Sequence, residues 1–335
     1  MAGMTALVCG GHGFIGHHLA RRLRQEGYWV RTVDIQEYPY GDLEVDDYVI
    51  GDLRIFDVCR EVFLAPGNKP FDEVYFLGAV MGGSGFIFTG TNDALVVHDS
   101  ALININCAEM ARRSGVGKVF FSSSACIYPQ EIQTDPDNKG LREDMAYPAN
   151  PDSPYGFEKL FSEQLYQAYA RNHGMNIRIA RFHNIYGAEG SWGNGREKSP
   201  AAICRKVAMA KDGDTIEIWG SGEQTRSFLY IDECLEAIRR FMDSDFRGPV
   251  NIGSEEMVSI NQLVGIVKDI AGKPDIKINH VAGPIGVMGR CSENTLIKEK
   301  LGWAPDYPLR KGLEKTYEWI RGEVEMGHKD MGHGG

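Results

Sequence analysis

Three glycines spaced three apart, Gly10, Gly13 and Gly16, follow an apolar run at residues 6–9 and lead into a helix-like stretch at 17–25. No other feature narrows the possible folds as much. A strand entering a glycine turn and then a helix opens a dinucleotide-binding βαβ unit. Gly10 permits the tight turn, Gly13 lets the backbone approach a pyrophosphate, and Gly16 allows close helix packing. The N–H groups of Gly13-Phe14-Ile15-Gly16 and the helix dipole attract the negative charge. Asp34 ends the next β-like run, 29–33, where a carboxylate accepts the adenosine ribose hydroxyls. It would repel a 2′-phosphate, and Ile35-Gln36-Glu37 brings no cation, so NAD is expected rather than NADP; Arg31 is the nearest residue that argues otherwise. Asp52-Leu53, after a third strand, is placed at the adenine, although a surface turn accounts for it equally well.

Beyond this unit, apolar β-rich runs at 73–77, 118–122 and 176–181 alternate with helical patterns at 101–114 and 156–171. The expected fold is α/β: a Rossmann-type doubly wound parallel sheet with a smaller C-terminal α/β substrate lobe. The NAD-binding domain is expected over 1–186, with 227–253 returning to it as a helix and a strand. Residues 187–226 and 254–325 form the lobe and 326–335 a flexible tail. The charge-free stretch 74–92 carries four glycines within 78–85 and reads as buried strand plus loop, not as a membrane span. A net charge of −10 disfavours nucleic acid as a partner. Seven unevenly spaced cysteines, with no leader-like start, suit a reducing compartment, the cytoplasm. No metal set is evident; the two histidines of the tail, His328 and His333, suit solvent better.

Tyr155 and Lys159 lie four apart, on one face of a helix. An ammonium beside a phenol favours phenolate, which can accept a hydroxyl proton as hydride leaves the same carbon. Ser122-Ser123-Ser124 ends a strand at the edge where open α/β sheets bind ligands. Glycine loop, strand-end serine and Tyr-x-x-x-Lys in that order resemble the extended short-chain dehydrogenase/reductase family, most of whose members rearrange nucleotide sugars. The resemblance covers nearly the whole chain. It implies that Ser124 assists Tyr155, and that the chain pairs as a homodimer through a helix bundle.

Cys126 stands two residues past Ser124, where a thiol near Lys159 and an oxidised nicotinamide could have a lowered pKa and serve as a base; free cysteine also often simply packs. Lys198, in a charged loop before an apolar helix at 201–209, could donate a proton, or be a solvated helix start. Arg226 and Arg290 are further cations available to a diphosphate. Residues 123–129 (SSACIYP), 181–187 (RFHNIYG), 195–206 (GREKSPAAICRK), 224–228 (QTRSF) and 296–305 (LIKEKLGWAP) are similar to the branch of the family that epimerises GDP-mannose at C3 and C5. That resemblance implies Cys126 and Lys198 as the acid/base pair. It implies Asn184, Glu197, Lys206, Gln224 and Arg290 as substrate contacts, and Gly82 and Gly83 as lining the sugar pocket. The implied cofactor is NAD, tightly held because hydride taken from C4 returns to it. Met288 and Ser84 depart from the expected basic residue and methionine, which leaves room for another GDP-sugar such as a heptose. A 4-epimerase would leave Cys126 and Lys198 without a task. A 4,6-dehydratase would carry an acidic pair where Ala125 and Cys126 stand, and a non-catalytic NAD sensor would have no use for Tyr155 and Lys159.

Overall fold

The computed structural model describes residues 3–330. Seven parallel strands form the central sheet: β1 (Thr5–Cys9), β2 (Trp29–Asp34), β3 (Asp47–Ile50), β4 (Glu73–Phe76), β5 (Lys118–Ser124), β6 (Ile177–Phe182) and, after two short strands and two others of the lobe, β11 (Val250–Ile252). Their order across the sheet is β11-β6-β5-β4-β1-β2-β3. The order reverses between β1 and β4, which opens a crevice at the carboxyl ends of the strands. Along β1 the side chains alternate between two cores. Ala6 and Val8 face α1 (Phe14–Gln25) and α7 (Ile231–Asp243), while Leu7 and Cys9 face α2 (Phe56–Val62), α4 (Asp93–Ser114) and α5 (Pro154–His173). A strand buried on both faces has to be a continuous apolar run, as 6–9 is.

Helices start earlier than the apolar periodicity alone suggests. α1 begins at Phe14, directly behind Gly13, and α4 begins at Asp93, eight positions before the expected 101. Residues 93–100 carry valines and polar groups that blur the helical stripe, and Val96, Asp99 and Ser100 are buried by tertiary packing. The returning segment opens on a short strand before its helix. β9 (Thr225–Ser227) and β10 (Leu229–Tyr230) precede α7, and β10 pairs with β7 (Ile185–Tyr186). Strand β11 then pairs with β6, Asn251 opposite Arg181. Arg239 of α7 ties these layers together, donating to Glu73 Oε2 at 2.8 Å, Tyr28 OH at 2.9 Å and Glu26 Oε2 at 2.8 Å.

The remaining elements pack as a second lobe. β8 (Thr215–Trp219) pairs with β13 (Lys277–Val281), and β9 lies between β12 (Met257–Ser259) and β14 (Gly289–Arg290). Around them lie α6 (Ser199–Met209), α8 (Ile260–Ala271), α9 (Thr295–Leu301) and α10 (Leu309–Glu325). α8 opens with a full capping box between Ser259 and Gln262. After α10 the chain stays attached: Asp330 Oδ2 accepts from the N–H groups of Trp192 and Gly193 at 2.7 and 2.6 Å. Of the expected tail, residues 331–335, with His333, lie outside the described residues. No described helix is long and apolar enough to cross a membrane.

Candidate active site

A cavity of about 340 Å³ runs from the glycine turn, across the ends of β1, β4 and β5, into the cleft between sheet and lobe. Gly10, Gly13, Phe14, Ile15, Gly16, Asp34 and Leu53 line one half; Gly82, Gly83, Ser124, Cys126, Tyr155, Lys159, Asn184, Lys198, Arg226 and Arg290 line the other. The short helix α3 (Ser84–Ile87) follows Gly83 along the same wall.

The first half fits a dinucleotide. A Cβ on Gly16 would stand 2.0 Å from the Gly10 carbonyl oxygen, and one on Gly10 would stand 2.5 Å from the Gly78 nitrogen. Only glycine allows the turn to close this tightly. Gly13 caps α1 without a side-chain bond, so the first N–H groups of the helix stay open to an anion. The Asp34 carboxylate accepts from His12 N at 3.2 Å and Gln36 N at 3.3 Å, which fixes it beside the turn. Arg31 is turned elsewhere, pairing with Asp47 and donating to the Val62 and Leu64 carbonyls. No cation from that direction would welcome a 2′-phosphate. His12, a spacer in the sequence pattern, is a wall of the site. Its ring stacks on Tyr48 at 4.0 Å and meets the Gln36 carbonyl at 2.6 Å.

The second half is assembled by close backbone approach. Ser153 caps α5 by accepting from Gly156 N at 3.2 Å, with Pro154 in the first turn. A Cβ on Gly156 would lie 2.1 Å from the Cys126 carbonyl oxygen. The glycine after Tyr155 therefore lets the start of α5 press against the turn at residues 125–127, bringing phenol and thiol together. Ser124 Oγ accepts from Cys126 N at 3.1 Å. Lys159 Nζ donates to the Ser122 carbonyl at 3.2 Å and lies 5.8 Å from the centre of the Tyr155 ring.

The electrostatics differ from the sequence expectation. Burial raises the Tyr155 pKa, the neighbouring Cys126 adds to this, and the Ser124 hydrogen bond only partly opposes it. Burial likewise lowers Lys159. The Tyr-x-x-x-Lys pair by itself thus leaves the phenol protonated, because both groups are desolvated. Cys126 is also raised rather than lowered: burial and Asp152 push the thiol up, against Arg290 and Ser124. Lys198, at the N-cap of α6, is lowered by burial, with Cys126 opposing.

Four expected site residues are turned away from the cavity wall. Asp52 is held by Arg54, which also pairs with the buried Asp99. Glu197 pairs with Arg205 at 3.1 Å and accepts from Gly195 N at 2.7 Å. Lys206 donates to the Glu217 carbonyl at 2.6 Å. Gln224 is buried and donates to the Trp219 carbonyl at 3.0 Å, its Oε1 unsatisfied. Glu197 still shapes the pocket through its backbone, since Gly83 packs on its carbonyl and Gly83 N donates to Arg196 O at 2.8 Å. Arg196, not singled out from the sequence, lines the cavity with its guanidinium 4.1 Å from the centre of the Phe86 ring.

The two candidate diphosphate cations differ. Arg290 is engaged by Asp152, Gln133 and Cys126. Arg226, partly buried, donates to the Thr225 and Ile285 carbonyls, and desolvation beside Arg290 lowers its pKa to about 9. It is the cation more open to an anion. Asn184, at φ 44°, donates to the Ser227 carbonyl at 3.0 Å. Elsewhere, one ligand atom each of His17, His18 and Glu189 lies within 4.8 Å of the others, but Arg21 and Tyr38 already hold Glu189 at 2.7 and 2.8 Å.

Comparison with known proteins accords with this geometry. The model of the NAD dependent epimerase/dehydratase family matches residues 6–253. The chain belongs to that family. It is 45% identical over 320 residues to a GDP-mannose 3,5-epimerase of Arabidopsis thaliana, covering 95% of this chain and 82% of that one. It matches GDP-mannose 3,5-epimerase 1 of Oryza sativa subsp. indica at the same identity and coverage. Among solved structures, UDP-glucose 4-epimerase of Thermotoga maritima with UDP-glucose superposes with a TM-score of 0.83 at 26% identity, covering 96% of this chain and all of that one. The chain is an NAD-dependent epimerase of the Rossmann type, acting on nucleotide sugars.

Proposed function

We propose that this epimerase acts on GDP-mannose, inverting C5 to give GDP-L-gulose and both C3 and C5 to give GDP-L-galactose. The observation that carries the reading is the convergence of Cys126 and Lys198 on one cavity with Tyr155 and Ser124, in a chain 45% identical to curated GDP-mannose 3,5-epimerases. A 4-epimerase needs only the tyrosine.

The glycine turn and Asp34 would hold NAD, which when bound would supply a reversible acceptor for the C4 hydride. Tyr155, aided by Ser124, handles the C4 hydroxyl proton. The C4 ketone acidifies the protons at C3 and C5. Cys126 and Lys198 are the acid/base pair, one removing a proton and the other returning one from the opposite face of the ring. Burial pushes the thiol up and the ammonium down from their ordinary values, which narrows the gap between the two groups. Arg226 is the cation for the diphosphate. Gly82 and Gly83 leave room for the sugar, and Asn184 offers its amide.

Because net redox is zero, NAD stays bound between turnovers. Leu95 and Ile105 on α4 and Phe157 and Phe161 on α5 are exposed apolar side chains on a packed helix pair, which supports a homodimer through these helices. All seven cysteines are free, in keeping with the reducing cytoplasm.

The test is incubation with GDP-mannose in deuterated water without added NAD, followed by NMR. Deuterium at C3 or C5, with galactose- or gulose-configured product, is expected. No exchange with NAD present in the protein would reject GDP-mannose, and inversion confined to C4 would make the chain a 4-epimerase.

A further inference from the structure

Arg290 reaches the Cys126 thiol with Nη1, 3.1 Å from Sγ, and each of its other two nitrogens is engaged. Nε donates to Gln133 Oε1 at 2.7 Å, and Nη2 donates to the Asp152 carboxylate. Asp152 in turn accepts from the Ser153 hydroxyl at 2.8 Å. The Arg290 and Asp152 side chains are only 6% and 2% exposed. A planar guanidinium held at two nitrogens by buried partners has its third direction fixed by them rather than by solvent. Arg290 is therefore aimed at the sulfur from outside the catalytic set, by a residue just before the cap of α5.

The same carboxylate governs the charge around the thiol. The groups facing Cys126 are Asp152 and Tyr155 at the start of α5, Lys198 at the start of α6, Arg226 on β9 and Arg290 on β14. Three are cations and Asp152 is the one carboxylate among them. We propose that Asp152 is a positioning residue: it holds Arg290 on Cys126 and balances the guanidinium charge, setting the pH at which the thiolate forms. Its catalytic meaning rests on the reading of Cys126 as a proton-transfer group. Burial and Asp152 act to keep the thiol protonated, and Arg290 acts against them.

The test is the pH dependence of Cys126 alkylation by iodoacetamide in the full-length protein, followed by peptide mass spectrometry. Cys126 is the partly accessible cysteine of the seven, so its peptide is read against six buried ones. Asp152→Asn leaves the cation unbalanced, and the midpoint is expected to fall by about one pH unit, roughly tenfold more thiolate at fixed pH. Asp152→Glu should restore the parental profile. An Asp152→Asn profile superposing on the parent, or moving upward, overturns the proposal. Should that variant not fold, Arg290→Gln leaves the carboxylate unopposed and must move the midpoint upward; an unmoved or lowered midpoint is equally fatal. Failure of the underlying reading shows separately, as a Cys126→Ala protein that still takes solvent deuterium into C3 and C5.

Discussion

Gly83→Ala tests whether the pocket is set by backbone contact between the two lobes. Gly83 has φ −74° and ψ −173°, extended values that alanine adopts freely, so the substitution carries no conformational penalty. Its cost is steric. The new Cβ would stand 2.2 Å from the Glu197 carbonyl oxygen, so the segment must retreat by about 1.2 Å to reach ordinary contact at 3.4 Å. Lys198 is the next residue and moves with it, and the 2.8 Å bond from Gly83 N to Arg196 O is lost. A displacement of about 1 Å in a positioned catalytic group costs on the order of 100-fold in rate. Overpacking of this kind costs about 1–3 kcal/mol in stability. The assay is deuterium incorporation at C3 and C5 of GDP-mannose by NMR, with NAD content and thermal melting measured alongside. Exchange should drop about 100-fold while NAD content is unchanged. Gly265→Ala, where a Cβ meets nothing within 4 Å, should match the parent. A Gly83→Ala enzyme within about threefold of the parent would refute the reasoning, since it falls well short of the rate loss expected from such a displacement.

Gly16→Ala, whose Cβ would lie 2.0 Å from Gly10 O, should yield protein purified without NAD; normal nucleotide content on acid release would contradict the tight-turn argument. Arg239→Met leaves Glu73 buried without its cation and should cost about 3–5 kcal/mol in urea unfolding. His183 is buried and its folded pKa falls to about 3, so the unfolded chain binds the extra proton first. Stability from this group is complete above the usual histidine range of about 6.5 and is lost as pH falls toward the folded value. His183→Asn should flatten the melting temperature between those limits, and an unchanged slope would discount the residue. Burial lowers the Lys198 ammonium, so if its protonated form is needed, C3 and C5 exchange must decline as pH rises at values below the ordinary lysine range. A decline only at or above that range would argue against a desolvated proton donor.

The cofactor half was legible because each of its demands falls on consecutive residues. Gly10, Gly13 and Gly16 must be glycine for reasons of backbone contact within the turn itself, and Asp34 ends the neighbouring strand. The substrate half was legible only as a set of residues. Side-chain partners decide which of them face the cavity: Arg205 draws Glu197 away, and the Glu217 carbonyl takes Lys206. Spacing offers these partners but does not say whether the side chain turns to them or to the cavity. The direction of the thiol and phenol shifts was missed for a related reason. Spacing placed charges beside Cys126 and Tyr155, but it does not report burial, and burial leads both shifts. Asp152 precedes a helix cap and reads from sequence as capping chemistry; only the fold brings Arg290 to it, across 138 positions of chain.

The edge strand β11 carries a consequence for how the protein is made. It comes from residues 250–252, yet it pairs with β6, so the nucleotide-binding sheet lacks its last strand until well over half the chain has left the ribosome. Until then β6 presents an unpaired apolar edge, and Tyr128 and His183 lack Asn251, which each meets in the finished fold at 2.7 and 3.0 Å. Biogenesis of the first domain thus waits on synthesis of the segment that follows the substrate loop. A fragment ending near residue 186, the natural place to cut, would be a sticky intermediate in need of chaperone protection and not a small soluble NAD-binding module.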